Sequence, residues 1–114
     1  LENNQVKLFH FKTNAMIIGN LEVADYDFAE KMYWKEAKKT CAALGGGWRL
    51  PTKDELNVLY ENKDTIGCFS DNYYWSSTET KGIYSAWIQF FNDGVQFNSY
   101  VKGFKYQVRA VRNI

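Results

Sequence analysis

The run Gly45-Gly46-Gly47-Trp48-Arg49-Leu50-Pro51-Thr52-Lys53-Asp54-Glu55-Leu56 constrains the fold more than any other stretch of this chain. Ahead of it, Trp34, Ala37, Cys41 and Leu44 recur at helical spacing, with Lys35, Glu36, Lys38 and Lys39 on the opposite side. Glycine just past a last helical turn accepts a left-handed backbone, so the triplet stops that helix. Pro51 then holds Leu50 extended. Thr52 and Glu55 stand at capping-box spacing, and Leu56, Leu59 and Tyr60 form the apolar stripe of a second helix. Two helices are expected, over about 32–44 and 53–62. Nothing in the run is catalytic. A phosphate-cradling glycine loop precedes a helix and ends in Lys-Ser/Thr, whereas this one follows a helix and lacks that ending.

The flanks read as strands. Val6, Leu8 and His10 alternate with Lys7, Phe9 and Phe11, and Thr13-Asn14 offers a turn before Ala15-Met16-Ile17-Ile18, so an N-terminal hairpin is expected. Asp25-Tyr26-Asp27 leads into the first helix. After Asp64, Tyr73-Tyr74-Trp75-Ser76-Ser77 forms a short aromatic strand. Ala86, Ile88 and Phe90 alternate with Trp87, Gln89 and Phe91. Asn92-Asp93-Gly94 makes a hairpin turn, and Val95, Phe97, Ser99 and Val101 alternate with Gln96, Asn98, Tyr100 and Lys102. Tyr106, Val108 and Ala110 alternate with Gln107, Arg109 and Val111 in an expected last strand. Strands, then two helices, then an antiparallel strand meander give an α+β domain with segregated helices. Its 114 residues suit one domain, 1–114, with one core.

Composition narrows the function classes. A net charge of +1 with interspersed signs argues against a nucleic-acid groove, and no apolar run is long enough to insert into a membrane. The basic side of the first helix could attract an anionic glycan, but such faces are usually just solvated. Because the chain starts at Leu1, a processed or excised segment of a longer protein is expected. Two cysteines are too few for a disulfide framework, and their spacing matches no zinc motif. Free thiols at Cys41 and Cys68 are expected, and a bridge between them remains open.

Taken together, Trp34-Lys35-Glu36-Ala37, Cys41, Gly47-Trp48-Arg49-Leu50-Pro51-Thr52, Glu55-Leu56, Tyr74-Trp75-Ser76-Ser77-Thr78, Ala86-Trp87, Asp93-Gly94 and Val108-Arg109-Ala110-Val111-Arg112 form a joint pattern. It resembles the Legionella collagen-like protein C-terminal domain family, which includes the Fibrobacter major paralogous domains. The resemblance runs from about Glu22 to Arg112. It implies a C-type lectin-like fold, with a hairpin joining the termini, two helices, and a second small sheet bearing a ligand-facing surface. Such domains sit on bacterial surface, secreted or phage-encoded adhesive proteins. Two departures stand out. Family members often carry a cysteine where this chain has Ala110, so Cys41 lacks the partner that the resemblance implies. Lectins of the wider fold hold sugar through calcium with a Glu-Pro-Asn motif and a Trp-Asn-Asp motif. Here the only proline is Pro51, and Phe91-Asn92-Asp93 is a poor echo of the second. No cluster of the six to eight oxygens that calcium takes is apparent, so no metal and no cofactor is expected.

Catalysis is not expected either. Formylglycine-generating oxidases share the fold but use paired reactive cysteines, and Cys41 and Cys68 do not occupy comparable places. The one histidine, His10, lies on an expected strand, while Asp54 and Glu55 serve the helix start and Asp93 the turn. A binding surface is the better reading. Tyr84, Trp87, Gln89, Asn92, Gln96, Asn98, Tyr100 and Lys102 mix rigid aromatics with amides, a composition suited to sugar rings and protein partners alike. Trp48, Trp75 and Arg49 read as structural, and Arg109 and Arg112 as anchors for loop carbonyls or acids. Three functions fit: a calcium-independent adhesion module for a glycan or surface protein, outside the cell or on a virion; a self-assembling fibre, filament or tail-tip subunit; or a diversified binding protein varying over Lys81 to Lys105.

Overall fold

A computed structural model describes residues 15–81 and 84–114. The expected strand over Val6–Phe11, the turn at Thr13-Asn14 and His10 lie outside them. Two three-stranded antiparallel sheets and three helices make up the described chain. Strands β1 (Met16–Ile18) and β2 (Leu21–Val23) form a hairpin that turns at Gly19-Asn20. Helix α1 (Trp34–Ala43) and helix α2 (Lys53–Glu61) follow, then a single turn, α3 (Lys63–Ile66), that periodicity did not anticipate. Strands β3 (Tyr73–Glu79), β4 (Ser85–Phe90) and β5 (Gln96–Tyr100) form the meander, and β6 (Val111–Asn113) closes the chain.

The local chemistry around the glycine triplet behaves as its residues dictate. The Leu44 and Gly45 amides donate to Cys41 and Ala42, and Gly45, Gly46 and Gly47 all take positive φ, ending α1. Leu44 sits in that final turn and is exposed rather than facing the core. At the other end of the corner, the Thr52 hydroxyl accepts from the Glu55 amide while the Glu55 carboxylate accepts from the Thr52 amide, a complete capping box. The helix closes at Asn62.

The meander stops at β5. Residues 106–110 do not continue it as a regular strand. Tyr106 bridges to Met32 and Gln107 to Tyr74 in isolated pairs. The chain then crosses to the first sheet, where β6 pairs with β2 (Leu21 opposite Asn113, Val23 opposite Val111). Arg49 clamps this sheet from the far side of β6 through paired bonds with Val111 of 2.8 and 2.9 Å.

Sheet β3–β4–β5 separates two apolar clusters. On one face Trp75, Ala86 and Ile88 pack with Met32, Trp34, Ala37 and Cys41 under α1. On the other, Tyr74 and Phe91 pack with Leu56 and Leu59 of α2 and with Leu21, Val23 and Val111. Successive strand residues point to opposite faces, so Tyr74 and Trp75 serve different clusters and both are fully buried. Trp34 and Trp75 satisfy their indole N–H groups on the carbonyls of Ser76 and Met32, each at 2.8 Å.

Candidate ligand-binding site

Strand register decides which of the sequence-predicted residues share a surface. Trp87 lies opposite Asn98, Gln89 opposite Gln96, and Ser85 opposite Tyr100. Trp87, Gln89, Gln96, Asn98 and Tyr100 therefore belong to one face of the sheet, the face on which α2 packs.

Helix α2 takes two of the five. Gln89 is fully buried, its amide donating to Asn57 Oδ1 (2.8 Å) and to the Gly94 carbonyl (2.9 Å). Gln96 is half-buried and donates to the Lys53 carbonyl (2.9 Å). Both amides hold the β4–β5 hairpin to the start of α2, and Gln89 offers nothing to a ligand. Strand alternation places these side chains on one face, and α2 covers that face where Gln89 and Gln96 lie. Asn92 lies in the β4–β5 turn, and Lys102 lies beyond the other end of β5, after Tyr100. The five residues of β5, at about 3.4 Å each, run between them and put them at opposite ends of the sheet. They do not join one site.

What stays open is the part of the face beyond the helix. Glu79, Thr80, Lys81, Trp87 and Asn98 line a cleft of about 510 Å³. Trp87 is half-buried, and the Lys53 ammonium lies 3.6 Å from its ring centroid, which fixes the indole. The Lys53 amide donates to Thr78 Oγ1 (2.8 Å), tying the helix start to β3 beside the cleft. Asn98 is exposed, Tyr100 is 65 % exposed one step along the same face, and Tyr84 is 62 % exposed at the entrance to β4. The cleft thus joins an aromatic ring, a free amide, a carboxylate and an ammonium. Glu79 and Lys81 were missed as wall residues. The polar run Thr78–Lys81 at the end of an aromatic strand, facing Trp87 across the hairpin, was the signal that could have marked them.

The strongest ionic groups serve the scaffold. Arg109, placed by alternation outside the core, is instead almost wholly buried. It donates to Asp27 (2.8 Å) and to the carbonyls of Ala24, Gly67 and Cys68, and it lies 4.0 Å over the Phe69 ring. Arginine tolerates that place because its five donors meet a carboxylate and three carbonyls. Tyr74 donates to the same Asp27 at 2.5 Å, and burial followed by that bond pushes its phenol well above the usual tyrosine range. Arg49 makes a two-pronged pair with Glu55 (2.7 and 3.0 Å) and reaches Asn113. Arg112 pairs with Glu22 and covers the Trp48 ring. Both cysteines are free, Cys41 buried and Cys68 exposed at a smaller cleft of about 270 Å³. Among the described residues no group of three His, Cys, Asp or Glu side chains converges as a metal site would, and no helix is long and apolar enough to cross a membrane.

The comparisons with known proteins agree with this architecture. The crystal structure of botrocetin superposes with a TM-score of 0.66 over 89 % of this chain and 96 % of that one. At 13 % identity the likeness shows the fold alone, the C-type lectin-like fold. No curated protein matches the sequence. The family model described as the Lcl C-terminal domain matches residues 8–112. Fold and family are both typical of binding modules, and by that match the chain belongs to the Lcl C-terminal domain family.

Proposed function

We infer that this domain is a non-catalytic, calcium-independent binding module that acts outside the cell, on a cell surface or on a virion, and holds a glycan or a surface protein at the Trp87–Asn98 cleft. The observation that carries the reading is the cleft itself. An indole fixed by Lys53 stands beside an exposed amide, with Glu79 and Lys81 across the opening. A sugar ring presents C–H edges to an aromatic surface and hydroxyls to amides, carboxylates and ammonium groups, and all of these line one space. A protein loop bearing polar side chains has the same needs. Tyr100 and Tyr84 extend the contact area at little rotamer cost.

A glycan array probed with and without a chelator tests this. The expected signal is indifferent to the chelator, falls roughly fivefold in Asn98→Ala for the loss of about one hydrogen bond, and is lost in Tyr100→Ala. Both side chains are exposed, so neither substitution disturbs the core. A signal that needs calcium would overturn the metal-free reading, and one untouched by either substitution would overturn the site.

A second reading is a subunit that assembles through its aromatic surface. It is favoured by Phe97, 43 % exposed, and Phe104, 55 % exposed, which pack against Tyr73 and Tyr106, with Phe97 on the opposite face of the sheet from the cleft. Light scattering that rises with concentration, with no array signal, would support it.

A further inference from the structure

Strand β5 is an outer strand of its sheet. Its ladder with β4 is bounded by Phe90 N–H to Val95 O (2.9 Å) and Val101 N–H to Tyr84 O (2.8 Å). Bonded pairs in an antiparallel ladder recur at every second residue, so Val95, Phe97, Ser99 and Val101 turn their main-chain groups toward β4. Gln96, Asn98 and Tyr100 turn theirs outward, the Tyr100 carbonyl also accepting from the Gly103 amide of the following turn at 3.4 Å. Among the described residues no isolated bridge meets this edge. The opposite edge, at β3, is closed by Gln107, which donates to Tyr73 and accepts from Trp75.

Open edges are ordinarily guarded by a lysine, a proline or a bulge. This one has none. Val95 to Val101 contains no charged residue and no proline, although 24 % of the chain is charged, and β4–β5 pairing runs without a register shift. The edge is also accessible, with Asn98 exposed and Tyr100 only one-third covered.

We propose that β5 pairs antiparallel with β5 of a second copy, centred on Asn98. In that register Asn98 faces the partner's Asn98, and Gln96 faces the partner's Tyr100, so all three outward-turned residues find bonding positions, the Tyr100 carbonyl through its second lone pair. A shift of two residues either way leaves Gln96 or Tyr100 unmatched. A second copy suits the edge because it brings the same neutral strand, whereas a charged peptide meets no counter-charge along it. Pairing joins two three-stranded sheets into one of six. Directly opposed residues of a bonded pair lie about 5.5 Å apart at Cα, so the partner's Asn98 stands beside the Trp87–Asn98 cleft. Insofar as that cleft is the binding site, the second copy contributes a residue to it, and two clefts merge across a two-fold axis.

Sedimentation velocity over a concentration series, with no ligand present, reads the pairing directly. The wild-type chain is expected to pass from monomer to dimer. Asn98→Lys sets two cations across the axis and Asn98→Asp two anions. Each alone should move the midpoint to roughly fivefold higher concentration or beyond, and an equimolar mixture should restore it. The Asn98 side chain is exposed, so far-ultraviolet circular dichroism should show both variants folded. A wild-type chain that stays monomeric at the highest concentration overturns the proposal. So does a dimer unaffected by both variants, or a mixture that remains as weak as its components. A null glycan array leaves this result standing, and the reverse holds too.

Discussion

Glu55 has two tasks. Its carboxylate completes the capping box at Thr52 and accepts both prongs of Arg49, which itself reaches Asn113 on β6. One side chain thereby fixes a helix start, the Leu50-Pro51 corner and the closing strand. The hydrogen bond with Arg49 holds the Glu55 carboxyl below its ordinary value of 4.5. A carboxyl whose folded pKa is depressed contributes stability that is complete above the unfolded value and is lost as pH falls through the folded one. Stability should therefore decline as pH drops below about 4.5, and Glu55→Gln should start lower and lose less over that same interval. Thermal unfolding of both chains from pH 6 to pH 3 checks this, and parallel slopes would contradict it. Arg109 teaches a different lesson. Its alternation was legible, but its burial was not, because the acid it needs lies 82 residues earlier in a loop.

At the scale of elements, what could be read from sequence was what neighbours in the chain decide. Both helices, the corner between them and the Asn92-Asp93-Gly94 turn rest on caps, glycine and spacing, and they formed where those signals lie. The candidate surface was half legible. Register placed Trp87, Asn98 and Tyr100 on one face, but the seating of α2 over Gln89 and Gln96 depends on bonds between residues 53–57 and 89–96 that no local pattern carries. The departure of β6 from the meander was hidden for the same reason, since the residues that receive it, Leu21 to Val23, come some ninety positions earlier. Gly94 tests how tightly the hairpin and α2 are joined. A Cβ there would stand 2.5 Å from the Tyr60 ring, at a φ of +83. Gly94→Ala should cost about 2–4 kcal/mol, overpacking added to left-handed strain. Gly45→Ala, at a similar φ but with open space around its Cβ, should cost only about 1–2 kcal/mol. Urea unfolding of the pair separates the two terms, and equal losses would mean that the Tyr60 contact is slack.

For the molecule as a whole, the two thiols report on separate regions. Burial pushes the Cys41 thiol up to about 11, and the residue has no exposed surface, so it should resist labelling in the folded chain. Cys68 is exposed. A thiol reagent near pH 8 should therefore modify one cysteine quickly and the second only on unfolding. Two rapid equivalents would show that the α1 cluster opens without global unfolding.

The small β1–β2–β6 sheet also has a mechanical consequence. Strands β1 and β6 flank β2 and run the same way, with Met16 opposite Val23 at one end and Asn113 opposite Leu21 at the other. Tension applied through Met16 and Asn113 pulls along the strand axes in opposite directions. The load is then shared by the rungs on both sides of β2 and is not concentrated on one rung at a time. The sheet carrying the Trp87–Asn98 cleft lies outside that line of force, so Met16 and Asn113 can be pulled hard while the cleft keeps its shape.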